Sequence, residues 1–347
     1  MSSAAATVKT RRSTLQAVPD SVTDKLSLAQ AIRDGLRDEM QRDPSVMVLG
    51  EDVGADGGVF RATDGLLELF GGERVVDTPL AESAIVGTAV GLAATGMRPV
   101  VEIQFLGFVY QAANQLLGHA ARLRHRTRGR LTVPLVVRSP YGGGIHAPEH
   151  HSESYEALFV HSPGIKVVIP SNPYDAKGLL IAAIRDDDPV VFLEPTRLYR
   201  AFRAEVPRGP YTVPLGQAAV VRPGSDVSLI AWGAMVRVCV DAAEALARDG
   251  VKAEIVDLRT LNPLDRETIL ESVGKTGRAV VVHEAPRTCG MGAEISALVS
   301  EHALLRLEAP IERVAGFDTV IPLAKGEPFY LPHRERVIAA VRKVLAF

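Results

Sequence analysis

The segment Asp77-Thr78-Pro79-Leu80-Ala81-Glu82-Ser83 joins an apolar strand, Arg74-Val75-Val76, to a run of small residues from Ala84 to Gly96 that predicts a buried helix. Glu82 therefore falls at the start of that helix. Its carboxylate has two structural interpretations: it complements the positive end of the helix dipole, or it pairs with an arginine such as Arg98. Position alone favours one of these two over a role in chemistry.

The composition excludes several classes of protein. The chain has 347 residues, of which 47% are hydrophobic, and this size fits two domains with sizeable cores. A formal net charge of −2 gives no electrostatic reason to expect nucleic acid or an anionic membrane as a partner. Cys239 and Cys289 form neither a CxxC nor a zinc pattern, so we expect a reducing, intracellular setting. No apolar run approaches the roughly 18 residues that span a bilayer.

Residues 1–25 are rich in Ser, Thr and Ala, with three basic residues and no acidic residue before Asp20. This composition is typical of a mitochondrial transit peptide. The pair Arg11-Arg12 also occurs in twin-arginine signals, but no apolar stretch follows it here. We favour the interpretation that residues 1–25 form a disordered tail rather than either signal.

Apolar strands and helical patterns alternate along the rest of the chain, which predicts parallel sheets in two α/β domains. A linker with little periodicity separates the halves. The predicted strands are 46–49, 74–76, 98–105, 135–138, 165–169, 190–194, 227–232, 253–258 and 279–283. The predicted helices begin after Ser27 and then occupy 84–96, 108–126, 173–185, 235–248, 292–305 and 334–345.

Polar side chains follow several predicted strands. Glu51 comes directly after the strand 46–49, and Gln104 lies near the end of the strand 98–105. Because ligands of parallel α/β sheets gather at the carboxyl ends of the strands, Glu51 is a candidate site residue. A solvated loop position for this acid is an equal alternative.

Three histidines follow a glycine-rich run in Tyr141-Gly142-Gly143-Gly144-Ile145-His146-Ala147-Pro148-Glu149-His150-His151-Ser152. His146 and His150 would share a helix face and invite a zinc interpretation. The glycines and Pro148 disfavour a helix, however, and no cysteine lies nearby. Imidazoles on such a loop are better suited to proton transfer, because free histidine titrates near neutrality.

The acidic run Asp186-Asp187-Asp188 ends the predicted helix 173–185. Acids at a helix C-terminus oppose the helix dipole. We therefore expect a compensating positive charge there, either a bound cation or a nearby arginine.

Together these motifs resemble the beta subunit of the thiamine-diphosphate-dependent decarboxylating component of 2-oxoacid dehydrogenase complexes. The resemblance covers nearly all of the chain past residue 25. It is carried by Gly50-Glu51-Asp52-Val53, Asp77 to Glu82, Glu102-Ile103-Gln104-Phe105, His150-His151-Ser152, Pro163 to Val168 and Asp257-Leu258-Arg259-Thr260-Leu261.

The resemblance implies an α/β fold in which a pyrimidine-type thiamine-diphosphate-binding domain with a parallel sheet precedes a transketolase C-terminal-like α/β domain. These would occupy residues 26–200 and 215–347, with a linker over 201–214. It also implies an α2β2 heterotetramer whose alpha subunit holds the diphosphate and its magnesium through a Gly-Asp-Gly motif, which this sequence lacks. The chain should therefore contribute half of a site.

The implied activity is oxidative decarboxylation of a 2-oxoacid and reductive acylation of the lipoyl group of a dihydrolipoyl acyltransferase. The sequence at two places, Leu80 and Glu102-Ile103-Gln104-Phe105, resembles the branched-chain type more than the pyruvate type. A pyruvate or acetoin dehydrogenase beta subunit and a non-catalytic assembly subunit are the alternatives. The expected location is the bacterial cytoplasm, or the mitochondrial matrix in a eukaryote.

The resemblance also implies roles for single residues. Glu82 would hydrogen-bond the aminopyrimidine ring of the cofactor, and His151 would handle protons during decarboxylation and acyl transfer, whereas His146 and His150 receive no role. Glu51, Leu80, Gln104 and Phe108 would line the pocket, with Phe108 replacing a tyrosine of some branched-chain members. A structural potassium ion would be held by Val133, Leu135, Val136, Ala183, Asp186 and Asp188.

Overall fold

The computed structural model describes residues 22–347. The transit-peptide and twin-arginine interpretations fall outside the described residues, as does most of the predicted tail. The tail boundary at residue 25 is corrected, because Thr23–Leu26 forms a strand that pairs antiparallel with Ala204–Pro207. That second strand lies inside the predicted linker 201–214, so part of the linker is a structured element.

The strands follow one another along the whole described chain. They are β1 (Thr23–Leu26), β2 (Val46–Gly50), β3 (Val75–Asp77), β4 (Arg98–Glu102), β5 (Val136–Tyr141), β6 (Lys166–Val168), β7 (Val190–Pro195), β8 (Ala204–Pro207), β9 (Ala219–Arg222), β10 (Val227–Ala231), β11 (Ala253–Asp257), β12 (Thr260–Asn262), β13 (Ala279–Pro286) and β14 (Glu312–Gly316).

Helices alternate with these strands. They are α1 (Leu28–Arg42), α2 (Leu66–Phe70), α3 (Glu82–Ala94), α4 (Ala121–Arg126), α5 (Glu156–Val160), α6 (Pro173–Arg185), α7 (Ala234–Arg248), α8 (Arg266–Thr276), α9 (Met291–Ala303), α10 (Glu327–Tyr330) and α11 (Arg334–Leu345). Short 3-10 turns lie at Leu106–Ala112, Glu149–His151, Thr196–Leu198 and Leu304–Arg306, and a π-helical stretch lies at Asn114–Ala120. Within residues 22–347, no helix has both the length and the apolar character needed to cross a membrane.

The N-terminal domain is built on a sheet in the order β12-β6-β7-β5-β4-β2-β3. All neighbours are parallel except β12, which runs antiparallel to β6. Both faces are buried: Val48 belongs to the core under α1 and α6, and Leu49 to the core under α3. This explains the continuous apolar run of β2, since a parallel sheet covered by helices on both faces has no polar side.

The C-terminal domain repeats the plan with a smaller sheet in the order β14-β13-β10-β11-β9, parallel except for β9. The predicted parallel sheets are therefore mixed at one edge in each domain. Helix α8 was missed from sequence. Its buried face carries Ser272 and Thr276, which hydrogen-bond Ser228, and these polar residues weaken the apolar periodicity that marks a helix.

The two domains share a sheet edge and a set of buried polar contacts. Strand β12 leaves the C-terminal domain and adds to the edge of the N-terminal sheet. Beside it, the buried Arg259 guanidinium donates to Asp175 at 2.8–2.9 Å, and the Ser171 hydroxyl donates to Asp257. Groups of one domain are thereby held at fixed positions against loops of the other.

Candidate active site

The carboxylate of Glu82 is buried and unpaired. Glu82 is the first residue of α3, it is 3% exposed, and its Oε2 atom has no hydrogen-bond partner among the described residues. The alternative of a pair with Arg98 is wrong, because Arg98 donates to the Ile184 and Asp186 carbonyls and to the Asp187 carboxylate. The helix dipole favours a negative charge at this position, but an unpaired buried acceptor still costs about 1–3 kcal/mol.

Glu51 is a second buried acid at the same edge of the sheet. It follows β2, is 5% exposed, and its Oε1 atom also lacks a hydrogen-bond partner within residues 22–347. Burial raises the pKa of Glu51, and the nearby charges of Glu82, Asp52 and Glu102 raise it further. A solvated loop position is therefore excluded for this acid.

Sheet order explains why these acids meet. Strands β3, β2 and β4 are adjacent, with Gly50 in register with both Asp77 and Glu102. Asp77 fixes the connection, because its carboxylate accepts hydrogen bonds from the backbone N–H groups of Gly54 at 2.6 Å and Ala55 at 3.0 Å. Asp77 thus has a structural role that the sequence did not reveal, although it belongs to the quoted motif.

The remaining predicted pocket residues differ in exposure. Leu80 is 78% exposed. The Gln104 side chain donates through Nε2 to Asp52 at 3.1 Å. Phe108 is partly buried and meets Phe105 edge to face, with ring centroids 6.0 Å apart. Leu80 is thus an apolar side chain at the surface, two residues before the buried Glu82, and Phe105 and Phe108 form an aromatic wall after β4.

His151 lies against that wall. Its ring centroid is 4.4 Å from that of Phe105 and 5.3 Å from that of Phe108, and its buried Nδ1 atom has no hydrogen-bond partner in the described part of the chain. Burial lowers the pKa of His151, and the adjacent His150, 4.3 Å away between ring centroids, lowers it further. The imidazole is consequently neutral at pH 7 and available to accept a proton.

The three loop histidines do not converge on one point. His146 is turned to the C-terminal domain, where its Nδ1 atom lies 2.7 Å from Glu327 Oε2. Glu149–His151 is a 3-10 turn. His146 and His150 therefore do not share the face of an α-helix, in agreement with the prediction from the glycines and Pro148. In the described part of the chain, no group of three or more His, Cys, Asp or Glu side chains is placed to hold a metal ion.

The segment that carries Phe108 corrects the predicted helix over 108–126. It begins as a 3-10 turn, passes through a π-helical stretch and becomes α-helical only in α4. Its buried residues Leu106, Val109 and Ala112 recur at every third position, which matches the period of a 3-10 helix. The turn also brings Gly107 against the His150 carbonyl: a Cβ atom on Gly107 would lie 2.0 Å from that oxygen.

The acidic end of α6 is neutralised by the protein's own cations. Lys166 donates to both carboxylate oxygens of Asp186 at 2.6 Å, and Arg124 donates to Asp188 at 2.6 Å. Arg98 pairs with Asp187 at 2.7 Å. Of the two predicted sources of positive charge, nearby basic side chains are therefore present.

Several of the predicted potassium ligands already have partners within the protein. The carbonyl oxygens of Val133, Leu135 and Ala183 already accept backbone N–H groups. The Asp186 and Asp188 side chains are held by the cations just described. Potassium ligation by these groups and Val136 stays a prediction.

The acids and aromatic residues fit one half of thiamine diphosphate. Glu82 and Glu51 offer unpartnered buried oxygens to the ring nitrogen and amino group of a pyrimidine, and Phe105 and Phe108 offer an apolar wall. The sequence has no Gly-Asp-Gly diphosphate motif. The residues of this chain therefore suit the pyrimidine end of the cofactor.

Comparison with known proteins agrees with this geometry. The family profile "Transketolase, pyrimidine binding domain" matches residues 24–201, and "Transketolase, C-terminal domain" matches residues 216–337. The chain is 55% identical over 323 residues to the "Pyruvate dehydrogenase E1 component subunit beta" of Bacillus subtilis (strain 168), a match that covers 93% of this chain and 99% of the relative. The protein of the same name from Staphylococcus epidermidis (strain ATCC 12228 / FDA PCI 1200) is 52% identical over the same coverage.

A solved structure shares the fold at lower sequence similarity. The "Split gene transketolase, inactive beta4 tetramer" superposes with a TM-score of 0.74 at 22% identity, and covers 93% of this chain and 99% of that chain. This likeness supports the expected two-domain α/β architecture.

The predicted branched-chain type is not supported, because these relatives are named as pyruvate dehydrogenase subunits, the stated alternative. Three of the residues behind that prediction have positions that do not distinguish one substrate from another. Glu102 is buried in an ion pair with Arg138, Ile103 is a core residue, and Leu80 is exposed. Across nearly its whole length, the chain belongs to the family of beta subunits of the thiamine-diphosphate-dependent E1 component of 2-oxoacid dehydrogenases.

Proposed function

We propose that the chain is the beta subunit of a pyruvate-type 2-oxoacid dehydrogenase, which decarboxylates pyruvate and passes the acyl group to the lipoyl group of an acyltransferase. The observation that carries the proposal is the buried, unpartnered carboxylate of Glu82 beside Glu51. The names of the similar proteins support pyruvate as the substrate, and their bacterial source is consistent with the cytoplasm as the location.

Thiamine diphosphate supplies the nucleophilic carbon and the electron sink that decarboxylation of a 2-oxoacid requires. Glu82 acts at the pyrimidine ring: its free Oε2 atom holds a proton at a ring nitrogen. Glu51 stands close by, and burial together with the nearby charge of Glu82 raises the pKa of Glu51, which favours its neutral form in the buried site.

His151 acts at the other side of the pocket. Its lowered pKa leaves the imidazole neutral at pH 7, so it can take up a proton during the reaction and then give that proton to the lipoyl sulfur that is released when the S–S bond breaks and the other sulfur is acylated. Packing against Phe105 and Phe108 fixes the ring orientation and keeps water from that face of the site.

The site is completed by an alpha subunit in an α2β2 heterotetramer. This chain has no Gly-Asp-Gly motif, so the alpha subunit would hold the diphosphate and the magnesium ion. The exposed Leu80 next to buried Glu82 suits a surface that a partner covers. A lipoylated dihydrolipoyl acyltransferase is the acyl acceptor of the assembled enzyme.

The substrate test compares decarboxylation of pyruvate with that of 2-oxoisovalerate. Each is measured with this chain alone and with its cognate alpha subunit, in thiamine diphosphate and magnesium. We expect activity only in the mixture and a preference for pyruvate. A preference for 2-oxoisovalerate would restore the branched-chain type, and activity of the isolated chain would refute the half-site. An inactive mixture that still assembles would favour a non-catalytic subunit.

The role of His151 is tested by His151→Ala in the assembled enzyme. We expect reductive acylation of lipoyl groups to fall by about 10²–10⁴-fold, the usual contribution of a positioned acid–base group. The exposed His161, changed to Ala, is the matched control. An unchanged rate of acylation in His151→Ala would remove this residue from the mechanism.

A further inference from the structure

The loop that carries His151 is held from the side by two acids of the C-terminal domain. Glu327, the first residue of α10, accepts hydrogen bonds from the backbone N–H groups of Gly144 at 2.6 Å and His146 at 3.1 Å. The same carboxylate lies 2.7 Å from His146 Nδ1. Glu284 accepts the backbone N–H of Gly143 at 3.2 Å.

Glu327 depends on the loop for its partners. It is 2% exposed, and the loop histidine His146 is the sole basic side chain within ion-pair distance of it in the described residues. A buried carboxylate without partners is strongly unfavourable. In residues 22–347 the partners of this carboxylate all come from the loop, so the loop conformation and the position of α10 depend on each other.

The glycines of the loop permit this approach. A Cβ atom on Gly143 would lie 3.0 Å from Glu327 Oε1 and 2.9 Å from Ile321 Cδ1. A Cβ atom on Gly142 would lie 2.6 Å from Glu284 Oε1. The glycine-rich run is thus matched in shape to the acidic groups of the C-terminal domain.

The contact at His146 is connected to His151 by a closed loop. The backbone N–H of Gly142 donates to the Glu153 carbonyl at 2.9 Å, which ties the two ends of the loop together. Within it, the His151 N–H donates to the Pro148 carbonyl at 3.0 Å. Because this hydrogen bond closes the loop, we expect a displacement at His146 to reach His151.

We propose that Glu327 is a positioning residue: from the C-terminal domain it fixes the loop so that the His151 imidazole stays against Phe105 and Phe108, in the place where acyl transfer needs it. This rests on the proposed role of His151. Glu327 touches neither substrate nor cofactor in this proposal, and it acts through the backbone and side chain of residues 144–146.

The test uses the assembled α2β2 enzyme with Glu327→Gln. The amide keeps the shape of the side chain but turns an NH₂ group toward a loop donor. We expect the kcat for reductive acylation to fall about 10²-fold, the effect of a displacement near 1 Å, with KM for pyruvate unchanged. Glu254→Gln, which alters another buried acid of the C-terminal domain paired with Lys275, should keep the wild-type rate.

Two further variants decide whether Glu327 acts through the loop. Adding Glu327→Gln to His151→Ala should cause no further loss, because the group that Glu327 positions is then absent. His146→Asn, which tolerates the positive φ of 59° at this position, should lower the rate and be non-additive with Glu327→Gln. A full rate in Glu327→Gln, or an additive loss in the His151→Ala background, overturns the proposal.

Gly143→Ala keeps the proposal testable if Glu327→Gln fails to assemble. It leaves Glu327 in place and displaces the loop by contact, so the same loss of acyl transfer is expected in an assembled enzyme, and a full rate overturns the proposal. A fully active His151→Ala refutes the assignment of His151 and this inference together. An impaired His151→Ala with a fully active Glu327→Gln refutes this inference alone.

Discussion

Replacing Glu82 by methionine should stabilise the isolated chain while abolishing activity of the assembled enzyme. The carboxylate is 3% exposed at the start of α3 and its Oε2 atom has no partner. Methionine has a similar length and a good helix propensity. It therefore removes the unpaired polar group without opening a large cavity.

The expected magnitude follows from two opposing effects. An unpaired buried acceptor costs about 1–3 kcal/mol, and this cost is relieved in Glu82→Met. A carboxylate in the first helical turn contributes about 0.3–1 kcal/mol through the helix dipole, and this contribution is lost. The free energy of unfolding should therefore rise by about 1–2 kcal/mol, which raises Tm by about 2–8 °C for a domain of this size.

The assay is thermal unfolding of the chain without alpha subunit or cofactor, together with pyruvate decarboxylation by the assembled enzyme. Decarboxylation should fall by at least about 10²-fold, as for loss of an acid–base group. The matched control is Glu194→Met. Glu194 is fully buried, and its carboxylate accepts hydrogen bonds from the Arg138 guanidinium at 2.7 and 2.8 Å and from the Tyr199 hydroxyl. Loss of this carboxylate should therefore destabilise the chain by about 3–5 kcal/mol.

The two variants separate a carboxylate kept for function from one kept for structure. If Glu82→Met lowers Tm as Glu194→Met does, the Glu82 carboxylate has a structural partner, and the argument from its unpaired oxygen is wrong. If Glu82→Met, or the isosteric Glu82→Gln, assembles and turns over pyruvate at the wild-type rate, Glu82 has no part in the mechanism.

Three other predictions concern the loop, acid stability and the α6 end. Gly107→Ala places a Cβ atom 2.0 Å from the His150 carbonyl oxygen, so it should impair reductive acylation and lower Tm. The control Gly91→Ala has open space around its Cβ position in α3 and should stabilise the chain by about 0.5–1 kcal/mol. Equal effects of the two substitutions would refute the close approach of Gly107 to His150. Burial, and next the charge of a nearby arginine, lowers the pKa of His283 from 6.5 to about 4. As pH falls, the unfolded chain therefore protonates His283 before the folded chain does, and about 3 kcal/mol of stability should be lost between pH 6.5 and pH 4. Thermal unfolding across that range should show a smaller loss of stability in His283→Gln. An identical dependence of Tm on pH in the two proteins would contradict the lowered pKa. Because Asp186 is already paired with a lysine, Tm should be the same in potassium chloride and choline chloride at equal ionic strength, and a potassium-specific rise would establish the potassium site.

Several parts of the fold and site follow from local sequence. The apolar strands, the Ser27-capped helix α1, with its capping box to Gln30, and helix α6 after Pro173 all lie where the pattern predicts them. Glu51, Gln104 and the segment before Glu82 follow strand ends, so the topology of a parallel sheet brings them to one edge. These features are predictable because they depend on periodicity, capping and strand order.

Other features arise only from tertiary contacts. The sequence cannot say that Glu82 lacks a partner, that Arg98 is engaged at the end of α6, or that Glu327 reaches a loop 181 residues away at His146. Helix α8 and the 3-10 turn at Leu106–Ala112 escape periodicity because buried hydroxyls and a tight turn replace the usual apolar spacing.

The sequence by itself determined the α/β class and the family, since these depend on local pattern and on motifs of contiguous residues. Tertiary structure alone decided which acids are paired and which are free, because pairing depends on side chains that the chain brings together from distant positions. The buried carboxylate of Glu82 is the clearest case: its identity is local, but its lack of a partner is a property of the packed molecule.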